Sequence, residues 1–422
     1  MKVLAHRRLL ALALAGSLLG ACGLLPSSGD EEQVLDVWLM QYSAPDDFVD
    51  AVVRDFESRH EGVSVRVTVQ EWGGIGEKVT EVLTSGEGPD VIEVGNTQVA
   101  QYVDLGGVKD LTAQVVALDG DDWIPGLAEA GKVYGHQYGI PYYAANRVVI
   151  HRTDFFEEAG ITGPPADRQE WLAVTEALNG DGRQGIYLAG QNWYVLAGFL
   201  WDEGGDLAVE SAGRWHGALD TDEARAAMEF YSELQALGNG PKNSDEATPN
   251  QDEVFAAGDV AQIIAPPGAA QAIIESNPTL EGRLGFFPVP GKETGTPGAV
   301  FTGGSNLIIP SATGEPVLAY EFVKLLTGDE WQTELARTMS YVPNRTTLTE
   351  AVEGDPGWTA MVEGARNGHS APRSPRWGDV EADNPVKDFQ TAVLTGADPV
   401  QAGKEASDAL TALLGGYPRP SG

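Results

Sequence analysis

A single cysteine, Cys22, stands in 422 residues, so no internal disulfide can form. Basic residues are scarce as well: 27 Lys and Arg face 62 Asp and Glu, for a formal net charge of −35. Nucleic-acid binding runs on phosphate neutralisation by Lys and Arg, so that class is excluded. The same balance disfavours an anionic lipid surface or a polyanionic substrate, and it leaves a neutral or cationic ligand. Catalytic signatures are missing too. There is no Gly-x-Ser-x-Gly elbow, no P-loop and no Gly-x-Gly-x-x-Gly. His60, His136, His151, His216 and His369 are scattered, without the spacing of a helix-borne metal pair. Asn179-Gly-Asp-Gly182 lacks the later ligands of a calcium loop and reads as a turn. No cofactor and no metal are expected. A glycosidase needs only two carboxylates about 5–10 Å apart, and among 62 acids the sequence leaves that class open.

Long hydrophobic runs are also absent after the N-terminus. Lys2, Arg7 and Arg8 precede an apolar run from Leu9 to Leu19, followed by Gly20-Ala21-Cys22. A basic start, a short apolar segment and small residues before a cut mark residues 1–21 as a signal peptide. The run is too short for a mature spanning helix, which needs about 20 residues. Leu19-Gly-Ala-Cys22 resembles the bacterial lipobox, which implies diacylation of Cys22. Residues 22–33 then form a polar tether. The expected location is extracytoplasmic, on the outer face of the cell membrane, held only by the lipid anchor.

What remains is globular in composition: 42% hydrophobic and 21% charged. Its length exceeds one ordinary core, so two lobes are expected. Strands alternate with helices. Val34–Leu39, Val63–Val69 and Pro89–Val94 read as strands, and Asp46–His60 carries Phe48, Val49, Val52, Val53 and Phe56 on one helical face. This alternation predicts a mostly parallel sheet covered on both faces, with ligands beyond the carboxyl ends of the strands. Ile140–Ile150 reads as one strand passing into a helix that Thr153 or Asp154 can cap. Pro141 donates no ladder bond, so that strand should lie at an edge or bend. It is either a bulged edge strand or a crossover with Tyr142, Tyr143, Asn146 and Arg147 facing a cleft. Gly185–Leu188 and Leu284–Pro290 read as further strands and Phe301–Pro310 as a second crossing; Asp167–Leu178, Asp222–Leu237, Pro316–Leu326, Pro385–Leu394 and Pro399–Leu414 are among the helices.

Seven motifs in order carry a family resemblance. They are Gly88-Pro-Asp-Val-Ile92, Tyr138-Gly-Ile-Pro-Tyr-Tyr143, Asp154-Phe-Phe-Glu-Glu-Ala-Gly160 before Pro164-Pro165, Phe255-Ala-Ala-Gly-Asp-Val-Ala261, Gly303-Gly-Ser-Asn306, Phe322-Val-Lys-Leu-Leu326 and Tyr341-Val-Pro-Asn-Arg345. The series resembles the extracellular solute-binding proteins of bacterial ABC sugar importers, the group that includes maltose-binding protein. The resemblance implies an α/β, two-lobed periplasmic-binding-protein-like fold (type II), each lobe a mixed sheet flanked by helices. Lobe 1 would comprise 34–144 and 300–342, and lobe 2 145–299 and 343–422, with crossings near 143–147, 298–302 and 341–346. It implies a monomer that captures a neutral sugar and delivers it to ABC transporter permease subunits. The sequence departs from many relatives where Ala265-Pro-Pro-Gly268 stands in place of a Gly-x-Trp.

A sugar offers C–H faces to aromatic rings and hydroxyls to fixed donors and acceptors. The candidate ligand-binding residues are Gln41, Trp72, Asn96, Gln98, Tyr142, Tyr143, Asn146, Trp193, Gly304, Ser305, Asn306, Arg345 and Trp377. Asn and Gln are equally turn residues, Arg345 and Arg147 equally partners for surplus acids, and any one tryptophan equally core. Trp377, in Pro372-Arg-Ser-Pro-Arg-Trp-Gly-Asp379, is expected to be a stacking platform, because its neighbours make a poor core segment. The ligand is expected to be a di- or oligosaccharide, of N-acetylglucosamine or glucose. A polyol or glycerophosphodiester binder, and a surface glycosidase or adhesin, are the alternatives.

Overall fold

A computed structural model describes residues 33–415 apart from 181, 373 and 375. The signal-like segment, Cys22 and the tether up to residue 32 therefore lie outside the described residues. Strand β1 (Gln33–Met40) pairs in parallel with β2 (Val63–Gln70) and β3 (Val91–Gly95). Helix Asp46–Arg59 makes the first crossover, and its Phe48, Val52 and Phe56 are buried at helical spacing. Helix Ile75–Ser85 makes the second and stops at Gly86, whose φ of 71° suits a residue without Cβ.

The expected mostly parallel sheet is mixed. Strands β4 (Ile140–Asn146) and β5 (Val148–Arg152) follow one another across Arg147. Strands β6 (Gln262–Ala265), β7 (Leu284–Pro288), β8 (Val300–Ile308) and β9 (Val342–Pro343) complete the two main sheets. The first sheet runs β9-β4-β8-β3-β1-β2, with Gly368–His369 joined in parallel to the start of β8. The returning chain enters the middle of this sheet as β8, antiparallel to both β3 and β4. The second sheet, β6-β5-β7, is antiparallel throughout.

The stretch 140–150 thus serves two sheets. Asn146 pairs with Thr302 in the first, and Val148 pairs with Ala265 and Pro288 in the second. Pro141 is not at an edge, since β4 lies between β9 and β8. Its missing N–H coincides with a register shift between Ser305 and Asn306, and its carbonyl accepts from Asn344 Nδ2 at 3.1 Å. Helix Thr153–Glu158 has no side-chain cap at its start; Asp154 binds Arg152 instead, at 2.7–2.8 Å. Gly185–Leu188 forms no strand, only a bridge at Gln184 and single backbone bonds to Ala261 and Gln262.

One face of the second sheet packs on Trp171, Leu196, Phe199, Ala227 and Tyr231. Its other face, through Val148, Ile150 and Ile263, is continuous with the cluster under the first sheet around Leu35, Phe56 and Phe322. The crossing strands therefore run through packed core. The final helix, Pro399–Leu414, starts where Asp398 accepts from Val400 and Gln401 at 3.0 Å, a cap worth about 1 kcal/mol. Thr346–Val352, expected in the second lobe, packs on helix Asp329–Met339 beside the first sheet. Among the described residues, no helix is long and apolar enough to cross a membrane.

Candidate functional site

Strands β1, β2 and β3 end side by side, so the residues after them gather at the carboxyl edge of the first sheet. Trp72 Nε1 donates to the Gln41 carbonyl at 3.0 Å, tying the loop after β2 to the loop after β1. Trp72 remains 39% exposed. Asn96 N donates to the Gly304 carbonyl at 3.0 Å. Gly304 itself acts through its backbone: a Cβ there would lie 2.5 Å from the Tyr143 carbonyl oxygen.

Beneath these loops lies a buried carboxyl, Glu93. It accepts from Met40 N at 2.8 Å, and the hydroxyls of Ser305, Ser43 and Tyr143 face it. Burial pushes its pKa up from 4.5 to about 7, against the opposing pull of those donors. Tyr143 stacks on Tyr341 (centroids 4.6 Å, planes 11° apart) and meets Tyr142 edge-on at 5.1 Å. Tyr341 OH donates to the Tyr42 carbonyl at 2.8 Å. The Tyr42 hydroxyl meets Asn250 of the second lobe. Next to it Asp252 is nine-tenths buried, and desolvation, then the charges of Glu246 and Glu253, raise it to about 7.

The second lobe contributes Arg147, whose guanidinium lies 4.1 Å from the Tyr194 ring centre and 3.2 Å from Glu246. On the other side of the gap, helix Trp377–Asp383 meets the loop after β3. Glu381 accepts from Thr97 Oγ1 at 2.9 Å and Gln98 Nε2 at 3.2 Å.

The predicted residues separate into three groups. Gln41, Trp72, Asn96 and Gln98 sit together at the strand ends. Tyr143, Gly304 and Ser305 form the floor around Glu93. The rest are committed to the interior. Tyr142 is fully buried, and Asn146 donates from Nδ2 to the Met361 carbonyl at 2.9 Å. Trp193 packs edge-on against Phe301 at 5.3 Å. Asn306 is wedged against Gly131 and Gly139, where a Cβ would meet its side chain at 2.8–2.9 Å. Arg345 is no rim donor: it pairs with Asp329 and with Asp119 at 3.1 Å, and donates to the Thr327 carbonyl. Trp377, expected to be an open platform, is 1% exposed, 6.2 Å from Trp193, with Nε1 bonded to Glu381 at 3.1 Å. No face of it is free for a ring in this conformation.

Sequence reasoning missed Tyr42, Thr97, Tyr194, Glu246, Asp252, Tyr341 and Glu381. Of these, Thr97, Tyr341 and Glu381 carried a local signal: the first in the strand-end loop Gly95-Asn-Thr-Gln98, the second inside a quoted motif and the third one helical turn after Trp377. Two surface pockets, one under His151, Phe156 and Phe287 and one between Phe56, His60 and Trp331, lie away from this gap. Neither gathers the donors and acceptors that the gap does.

Two α/β lobes joined by crossing strands, with aromatic and polar groups converging between them, define a hinged binding protein. The chain belongs to the bacterial extracellular solute-binding proteins, whose family profile matches residues 41–333. It is 35% identical to the diacetylchitobiose binding protein DasA of Streptomyces coelicolor over 381 residues, 90% of this chain and 89% of that one. Among solved structures it is similar in fold to the GacH receptor of Streptomyces glaucescens, described unliganded and with acarbose (TM-score 0.81, 21% identity, 92% and 100% coverage). It is likewise similar to a solute-binding protein of Thermotoga lettingae bound with α-D-tagatose (TM-score 0.81, 22% identity, 91% and 100% coverage).

Proposed function

We propose that this chain is the sugar receptor of an ABC importer and that its ligand is a short oligosaccharide of N-acetylglucosamine, with N,N′-diacetylchitobiose the first to test. The observation that carries the reading is the 35% identity, over nine-tenths of the chain, to a diacetylchitobiose binding protein. The gap is chemically suited to it. Trp72 offers an exposed ring, and Gln41, Asn96 and Tyr42 bring hydrogen-bonding groups to the same strand ends. A glycerophosphodiester fits less well, because Arg147, the cation at the gap, is already paired with Glu246.

In this reading lobe 1 comprises 34–144 and 300–342, and lobe 2 145–299 and 343–422, with Thr346–Val352 transferred to the first by its packing. The sugar holds the lobes together by touching both, which shifts the hinge equilibrium toward the closed state. Residues 1–21 direct export, Cys22 carries the lipid anchor, and the monomeric receptor hands its sugar to permease subunits.

Calorimetric titration of the purified protein tests this. Saturable one-to-one binding of N,N′-diacetylchitobiose, much weaker binding of maltose and none of glycerophosphocholine are expected. Tight binding of glycerophosphocholine, or of maltose alone, would replace the reading. Turnover of a chromogenic chitobioside would assign the chain to the glycosidases.

A further inference from the structure

Glu381 belongs to the second lobe but is bonded to both. Its carboxylate is met by three donors: the indole of Trp377 one turn earlier (3.1 Å), and Thr97 Oγ1 (2.9 Å) and Gln98 Nε2 (3.2 Å) at the end of β3. Gln98 is further fixed by Tyr102, whose hydroxyl donates to Gln98 Oε1 at 3.4 Å. Beside this cluster the lobes approach so closely that a Cβ on Gly378 would lie 1.7 Å from Gln101 Oε1, a position that a larger residue could occupy only if Gln101 moved. A carboxylate has no donors of its own when ionised, and the three converging donors use both of its oxygens.

We infer that Glu381 is a closure latch, a positioning residue that fixes Trp377 and bonds helix Trp377–Asp383 to Thr97 and Gln98 when the lobes shut. One lip of the cleft is then sealed by protein alone. The opposite lip, where the lobes also touch at Tyr42 and Asn250, keeps Trp72 exposed for the sugar; that last clause rests on the proposed function, and the latch itself does not. Three bonds converging on one carboxyl tie the two lobes at a single point. They exist only in the closed form, so they bias the hinge before any ligand arrives. The apparent affinity of a ligand falls in proportion to the closed, binding-competent fraction.

The test begins without ligand. Small-angle scattering on the full-length protein should give a larger radius of gyration for Glu381→Ala than for wild type. Glu381→Gln, which keeps one acceptor oxygen, should fall between them. Thr97→Val and Gln98→Ala remove the partners from the other lobe, so they carry the test even if Glu381→Ala disturbs its own helix. Each should expand the unliganded protein, and Thr97→Val should add little on top of Glu381→Ala because both break the same contact. Titration with N,N′-diacetylchitobiose should show about tenfold weaker binding for Glu381→Ala. Radii equal to wild type in Glu381→Ala, Thr97→Val and Gln98→Ala would overturn the latch, as would a lower melting temperature with unchanged radius. Expanded variants together with a wild type that binds no diacetylchitobiose would retain the latch and refute the sugar reading.

Discussion

The two lips of the cleft each carry a tryptophan, and the two indoles are employed differently. Trp377 is 1% exposed, packed near Trp193, and its N–H serves a carboxylate that bonds the other lobe. Trp72 is 39% exposed on a Gly-Gly loop, and its N–H ties two strand ends of its own lobe together. Each sits in a segment that looks irregular in sequence. The difference teaches that an aromatic in a proline- or glycine-bounded segment is a ligand platform only if the packing around it leaves a face open. On one lip Trp377 is buried in the second lobe's own core near Trp193, and Thr97 and Gln98 bond the carboxyl that its indole also meets. On the other, Trp72 stays 39% exposed.

The comparison breaks most visibly at Trp377. Truncating a fully buried large side chain typically costs about 3–5 kcal/mol, so urea unfolding of Trp377→Ala should show a loss of that size. Trp72→Ala should stay within about 0.5 kcal/mol of wild type, as exposed positions do. Equal losses for the two variants would erase the distinction between the lips.

A second effect comes from the floor. Glu93 holds its proton up to about pH 7 in the folded protein but ionises near 4.5 otherwise, and Asp252 is raised from 3.8 to about 7. Between those values the folded state binds more protons than the unfolded one, so stability falls as pH rises through the window and levels off above it. Melting temperatures should therefore be lower at pH 8 than at pH 5.5. Glu93→Gln should flatten the decline and gain about 1–3 kcal/mol over wild type at pH 8. A wild type that grows more stable across the same range would contradict the burial of these acids.

Arg345 gives the smallest effect and sharpens the contrast from the side of the residues that do not touch ligand. Losing its bonds to Asp119, Asp329 and the Thr327 carbonyl should cost about 1–2 kcal/mol of stability in Arg345→Ala. The dissociation constant for diacetylchitobiose should not move. A tenfold weaker constant at unchanged stability would return Arg345 to the rim.

Local signals made much of the fold legible. Helices Pro316–Leu326, Pro385–Leu394 and Pro399–Leu414 begin at a proline in the first turn and follow apolar spacing, and the sequence reading places their ends as the structure does. The shared strand at 140–150 was betrayed by Pro141, the paired tyrosines and Asn146-Arg147, residues that one uniform core strand would not hold. The site was less legible because its partners are distant in sequence. Glu381 was one of 62 acids, and what singles it out is Thr97, 284 residues away. Asn306 looked like a loop donor, yet the glycines at 131 and 139 make the notch that buries it. Trp377 differs from its expected exposure for the same reason: prolines describe its own segment, whereas the distant core around Trp193 buries it.

The central claim is that a sugar binds between the lobes against Trp72. Its most direct test is calorimetric titration of wild type and Trp72→Ala with N,N′-diacetylchitobiose, alongside melting curves of both. Loss of an aromatic anchor costs about 2–4 kcal/mol, so the dissociation constant should rise about 30- to 1,000-fold while the ligand-free melting temperature stays put. An unchanged dissociation constant in Trp72→Ala would contradict the account.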